Sequence, residues 1–174
     1  MTMTNTDTET TPTPDGLSVE RWSATSGSDR PSRANLILRG GGHRWRAHAD
    51  GNGAVDALMR AVDSALEPLL GAGVELATYD VHATGPGHET KASISVSVRP
   101  RDEPDGPLYP GRAVHENVLD ASLAAYVDAL NELLAAREVD VAAAVPTPGS
   151  TSRDEHDPDH RAGAKDRIMS AYNS

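Results

Sequence analysis

Gly111-Arg112-Ala113-Val114-His115-Glu116-Asn117-Val118-Leu119-Asp120-Ala121-Ser122-Leu123-Ala124-Ala125-Tyr126 decides the fold. It reads as a glycine turn running straight into an amphipathic helix. An earlier stretch, Gly51-Asn52-Gly53-Ala54-Val55-Asp56-Ala57-Leu58, has the same build. Two such junctions in one chain of 174 residues point to a duplicated unit. A glycine turn brings backbone N–H groups close to a ligand, and the helix N-terminus behind it carries partial positive charge. Gly51, Asn52, Gly53, Gly111 and Arg112 therefore form a candidate seat for a carboxylate. The plainer alternative is that the glycines only shape corners between strand and helix.

Outward from these junctions the hydrophobic period changes in a regular order. Leu17 to Ala24 mixes apolar and polar residues as an edge strand does. Asn35 to Arg39 centres on Leu36-Ile37-Leu38, and Gly40-Gly41-Gly42 turns the chain. From His43 the pattern alternates, with Trp45, Ala47 and Ala49 on one face and Arg44, Arg46 and His48 on the other, so a hairpin is expected. Val55, Leu58, Met59, Val62 and Leu66 then fall on one helical stripe, which Pro68 tightens and Gly71 and Gly73 end. Val74 to Ala83 is strand-like with a change of phase near Thr78, the mark of a bulge. Ala92 to Arg99 alternates cleanly, with Ile94, Val96 and Val98 inward and Ser93, Ser95 and Ser97 outward. Leu108 to His115 supplies a third strand. The last helix buries Leu119, Leu123, Tyr126, Leu130 and Leu133, with Asn117 and Asp120 as an N-cap pair. The expected architecture is α+β: two pseudo-symmetric βββα units, about 17–71 and 74–137, packed as one domain over residues 17–140. Residues 1–16 read as a disordered arm and 141–174 as a flexible acidic tail with a short helix over 166–172.

Composition narrows the function. A formal charge of −10 without a dense Lys/Arg cluster argues against a nucleic-acid partner. Cysteine is absent, which removes disulfides, thiolate catalysis and Cys-type zinc sites. No apolar run approaches the ~18 residues of a membrane span, so a cytoplasmic protein is expected. The chain is also too short for a TIM barrel of roughly 250 residues. Phe is absent and aromatics make up only 3%, so the core rests on Val, Leu, Ile and Ala. A core that thin gains from pairing with a second subunit.

Three ordered motifs carry a resemblance to a known family. Gly51-Asn52-Gly53-Ala54-Val55-Asp56-Ala57-Leu58 resembles G-N-G-P-V-D-A-L. Tyr79-Asp80-Val81-His82-Ala83 with Gly85-Pro86-Gly87 resembles Y-x-V-H-A-x-T-x-G. Gly111-Arg112-Ala113-Val114, Asp120-Ala121-Ser122, Ala125-Tyr126 and Ala129-Leu130-Asn131 resemble G-R-G-V, E-A-S, A-Y and A-L-N. Over about Ala34 to Leu134 the chain resembles the C-terminal regulatory, or allosteric dimerisation, domain of 2-isopropylmalate synthase. The resemblance implies two βββα units, a homodimer, and feedback binding of leucine, or of isoleucine as in the related citramalate synthase. It also implies that metal and acyl-transfer chemistry belong to a separate TIM barrel. A non-catalytic module without a cofactor follows, one that could act on a separate synthase catalytic subunit. The chain departs from the family pattern in three places: Gly87-His88-Glu89-Thr90 replaces G-T-D-A near the effector pocket, Ala113 replaces a glycine and Ala54 a proline.

An α-amino acid needs partners for three groups. The glycine corners suit its carboxylate. Asp56, Glu89 or carbonyls of Gly85 to Gly87 suit its ammonium. Val81, Ala83 and the Ala-rich side of the last helix suit an aliphatic tail. Asp56 reads equally well as favourable charge in a helix first turn, and Arg112 as half of a surface ion pair. His82 is expected to pack within the fold rather than to work with Glu89 as a small enzyme site. His156 and His160, with their neighbouring acids, read as solvated tail rather than a metal site.

Overall fold

The computed structural model describes residues 16–85, 87 and 90–144. The expected arm up to residue 15, the helix over 166–172, and Pro86, His88 and Glu89 lie outside the described residues. The described chain runs β1 (Ser18–Gly27), β2 (Arg30–Gly40), β3 (His43–Gly51), α1 (Ala54–Ala65), α2 (Glu67–Leu70), β4 (Val74–Thr84), β5 (Lys91–Pro100), β6 (Tyr109–His115) and α3 (Val118–Ala136). The strands form two antiparallel three-stranded sheets, β1-β2-β3 and β4-β5-β6, each followed by its helix. This is the expected α+β arrangement of two βββα units.

Alternation sets each sheet's faces. In β3 Trp45 is buried while Arg44, Arg46 and His48 are exposed. In β5 Ile94, Val96 and Val98 are buried beneath α3, with half-buried serines between them. The change of phase near Thr78 is a register shift between Leu76 and Thr78, so the bulge was readable from the pattern. β1 and β2 are longer than their apolar centres suggested, because polar residues such as Arg30 and Arg33 continue the ladder to a tight turn at Ser28-Asp29. Pro68 does more than tighten a turn. It has no N–H to give the Ser64 carbonyl, so α1 ends at Ala65 and α2 begins anew with Pro68 in its first turn.

One expectation fails outright. Gly111 is not in a turn. It lies buried inside β6, seven residues before α3 begins. A Cβ there would drive into the Ala125 carbonyl oxygen and fall 2.9 Å from the Ala129 Cβ. Gly111 is therefore the point where strand and helix backbones touch, an approach only glycine permits. Gly51 keeps its place at the strand-to-helix corner: a Cβ there would lie 2.5 Å from the Ala57 nitrogen. The two junctions share a motif letter and use it differently.

The units are joined by polar links from α3. The Asn131 side chain accepts from Leu17 N–H at 2.8 Å and donates to Leu17 O at 3.0 Å, holding the N-terminal strand as a neighbouring strand would. Tyr126 OH donates to Asp63 of α1 at 2.7 Å. The indole N–H of Trp22 in β1 donates to Asp120 at 2.6 Å. Asp120 is thus not the back half of a capping box. Asn117 accepts from Leu119 N–H as foreseen, but its own N–H goes to His115 Nδ1 at 3.0 Å. Beyond α3 the chain stays packed past residue 140, where the tail was expected to start. Val141 is buried against Gly40, in a 3₁₀ turn over Val141–Ala143.

Candidate functional site

Among the described residues, the inner side of β4 is left partly open. Register places Tyr79 opposite Val96, Val81 opposite Ile94 and Ala83 opposite Ala92, so all three face the helix side of the sheet. α3 lies across β6 and β5. It meets β4 through Tyr79, whose OH hydrogen-bonds Ser122 Oγ at 2.7 Å; Ser122 in turn donates to Val118 O at 2.6 Å. Ser122 is only 2% exposed. Past that link the strand is bare: Val81 is 49% exposed, and Val118 in the first turn of α3 is 42% exposed. β4 and β6 run in the same direction, with Ala83 and His115 both opposite Ala92, so β4 ends beside the start of α3. Val81, Ala83, Tyr79, Ser122 and Val118 therefore line one partly apolar flank.

The turn after β4 stands at the same end. Gly85 and Gly87 have φ of 105° and 58°, values that suit glycine and strain other residues. Thr90 Oγ1 donates to the Gly87 carbonyl at 2.6 Å. Glu89, the expected ammonium partner, lies outside the described residues.

The first glycine corner is already occupied by its own side chain. Asp56 Oδ2 accepts the Asn52 N–H at 2.9 Å, and both Asp56 oxygens accept from Arg60 Nε at 3.0 Å. Burial alone would raise the Asp56 pKa, but the Asn52 N–H and the Arg60 guanidinium hold it below the ordinary carboxylate value. Asp56 acts as the first-turn anion of α1, where Gly53 provides no side-chain cap. Gly51, Asn52, Gly53 and Asp56 are thus brought together at the corner between β3 and α1. Gly111 and Arg112 lie within β6 rather than in a turn. The Arg112 N–H donates to Asp128 at 3.0 Å, and the Arg112 side chain is exposed with no ion pair among the described residues.

His82 is a further correction. It faces Ser93 on the outer side of the sheet and is exposed, because residues alternate along β4 and Val81 takes the inner side. Among the described residues no group of three or more His, Asp or Glu could hold a metal ion, and no helix is long and apolar enough to cross a membrane.

Asp63 and Tyr126 were not singled out from sequence, although a tyrosine on a buried helix stripe needs a partner for its hydroxyl. Burial raises the Asp63 pKa against the opposing pull of the Tyr126 hydroxyl, Arg101 and Arg60. Burial and the neighbouring Asp63 push Tyr126 upward as well. The pair is a structural bolt between the helices.

Fold and flank together define a two-unit α+β module in which, among the described residues, the exposed large apolar side chains lie in the second unit. A family model described as the LeuA allosteric (dimerisation) domain matches residues 3–134. The 2-isopropylmalate synthase of Xanthomonas campestris pv. campestris (strain B100) is 39% identical over 119 residues, covering 67% of this chain and 21% of that protein. That of Heliobacterium modesticaldum is 31% identical over 121 residues, covering 70% and 22%. The chain belongs to the LeuA allosteric (dimerisation) domain family. It spans about a fifth of the length of the curated relatives it matches.

The family letters now have physical roles. Ser122 holds Tyr79, Tyr126 holds Asp63, Asn131 holds Leu17, and Ala125 with Ala129 makes room for Gly111.

Proposed function

We propose that this chain is a non-catalytic, homodimeric amino-acid sensor of the 2-isopropylmalate synthase type, which binds a branched-chain amino acid, leucine or isoleucine, on the open flank of β4. The single observation that carries the reading is the bare inner side of β4 at Val81 and Ala83, beside the first turn of α3. An aliphatic side chain of about four carbons would cover Val81 and Val118, and burying each methylene contributes about 0.8 kcal/mol. Carbonyls of the Gly85 to Gly87 turn would face the ammonium group. Family membership supports the dimer and the leucine-pathway setting, and a separate synthase catalytic subunit is the partner such a sensor would regulate.

Calorimetric titration with leucine, isoleucine and valine tests the proposal. Heat is expected from leucine or isoleucine at millimolar concentration or below, and Val81→Asp is expected to remove it. No heat from any of the three would end the sensing reading, while sedimentation as a monomer would end the dimer reading. A purely structural dimerisation domain is the second reading. It is favoured by the Gly51–Asp56 corner, where the protein's own carboxylate occupies the expected ligand seat.

A further inference from the structure

The outer face of the β1-β2-β3 sheet is basic in a chain whose net charge is −10. Arg21, Arg33, Arg39, Arg44 and Arg46 all project from it. Two carboxylates answer them. Glu20, at a bulge in β1, bonds Arg39 and, through Nε at 2.9 Å, Arg44; Asp50 bonds Arg33 at 2.9 Å. Five positive charges against two negative leave an excess of three. That excess centres on one row of the sheet, Arg21–Ile37–Arg46, where both arginines are exposed and neither has an acidic partner among the described residues. Ile37 lies half-buried between them.

The chain leaves the described fold at the edge of this face. Ala142 O bonds His43 Nε2 at 2.8 Å, and Gly41 of the β2–β3 turn lies against the Ala142 backbone. The described chain therefore ends close to the β2–β3 turn that joins the strands carrying Arg39 and Arg44. Residues 145–153 can span up to ~30 Å, and Arg46 lies only ~7 Å beyond Arg44 along β3. Four carboxylates follow within six residues, in Asp154-Glu155-His156-Asp157-Pro158-Asp159.

We infer that this acidic run docks within the same chain on the Arg21–Ile37–Arg46 row. Tethering supplies it at an effective concentration of about a millimolar, enough for several individually weak ion pairs to act together. Because the pairs are exposed, salt screens them and the contact is released at high ionic strength.

The chain has no cysteine, so Ser152→Cys carries a single nitroxide label. Amide signals of residues 44–48 in the full-length protein are expected to broaden at least about twofold more than those of residues 93–97 on the other sheet. The effect is expected to vanish at high salt and in the variant Asp154→Asn, Glu155→Gln, Asp157→Asn, Asp159→Asn. It is also expected to vanish in Arg21→Gln with Arg46→Gln, two exposed sites whose loss leaves the fold intact. Equal broadening on both sheets, or broadening that survives neutralisation of the run, overturns the proposal. Broadening that passes to an isotope-labelled, nitroxide-free copy mixed with the labelled chain overturns it as well, because the run then docks between chains.

Discussion

In the first unit the edge strand β1 lies under both helices: Val19, Trp22 and Ala24 are half-buried, and the Trp22 indole is fastened to Asp120 of α3. In the second unit the matching edge strand β4 meets α3 through Tyr79, and on either side of it Leu76 and Val81 stand 38% and 49% exposed. The units share strand order and helix placement, yet one closes its edge and the other leaves it open. The cause is α3. At 19 residues it is longer than α1, with 12, and its N-terminal turns fasten β1 through Asp120 while touching β4 through Ser122. A duplicated unit can therefore specialise without a change of fold. One copy supplies closure, and the other keeps a surface.

The largest expected effect comes from the two glycines. Gly111→Ala must push α3 off β6, and Gly51→Ala must shift the first turn of α1; the first is expected to cost about 3 kcal/mol and the second about 2 kcal/mol. Gly111→Ala should cost more, since its collisions are with main chain in mid-helix. Urea unfolding of both variants checks this, and equal or negligible losses would break the contrast between the junctions.

Next come the two helix-to-edge links. Asp120→Ala leaves the half-buried Trp22 N–H without its acceptor and is expected to cost about 2 kcal/mol, whereas Tyr79→Phe should cost about 1 kcal/mol. Hydrogen exchange should show β1 amides losing protection in the first variant while β4 amides change little in the second. A larger loss from Tyr79→Phe would mean that β4 is the better-fastened edge.

Two acids in α1 should respond to pH in opposite directions. The Asp63 pKa is raised in the fold, so its contribution is full below the unfolded value of about 4 and is lost as pH rises through the folded one. Asp63→Asn, which cannot ionise but can still accept from Tyr126, should gain stability relative to the parent as pH rises. The Asp56 pKa is lowered, so its contribution is present above about 4 and lost as pH falls through the folded value. Asp56→Asn should cost about 0.5–1 kcal/mol at neutral pH and nothing in strong acid. Thermal melts from pH 3 to 8 measure both slopes, and parallel slopes would refute the assignment.

The smallest effect on folding is expected at the open edge. Val81→Ser should change stability by less than about 0.5 kcal/mol, as exposed sites do, while weakening any amino-acid binding measured by calorimetry. A large destabilisation would mean that Val81 is covered after all.

Periodicity made most of the fold legible. The Trp45-Ala47-Ala49 alternation, the Ile94-Val96-Val98 alternation and the Val55 to Leu66 stripe each reported which side faced the core. The bulge near Thr78 showed as a slip in that alternation. Gly111 was misread because a glycine before a helix looks the same whether it turns the chain or admits a neighbouring backbone. Only the distance to Ala125 and Ala129 separates the two, and those residues lie a full helix turn and more into α3. The candidate site was legible in part. Val81 and Ala83 were picked for their apolar character and do line the open flank. Asp56 and Arg112 were picked for their charge, and charge alone does not reveal that Arg60 and the Asn52 N–H had already claimed one, or that Arg112 offers its N–H to Asp128. His82 was assigned to packing although strict alternation from Val81 already put it on the opposite side.

The uncovered edge of β4 also sets how this module can change over time. Residues that hold the two halves together, such as Asn131, Tyr126 and Asp120, sit on α3, whereas Val81 and Ala83 carry almost no share of the core. A lineage can therefore change the side chains along that edge without touching the links that fasten one half to the other.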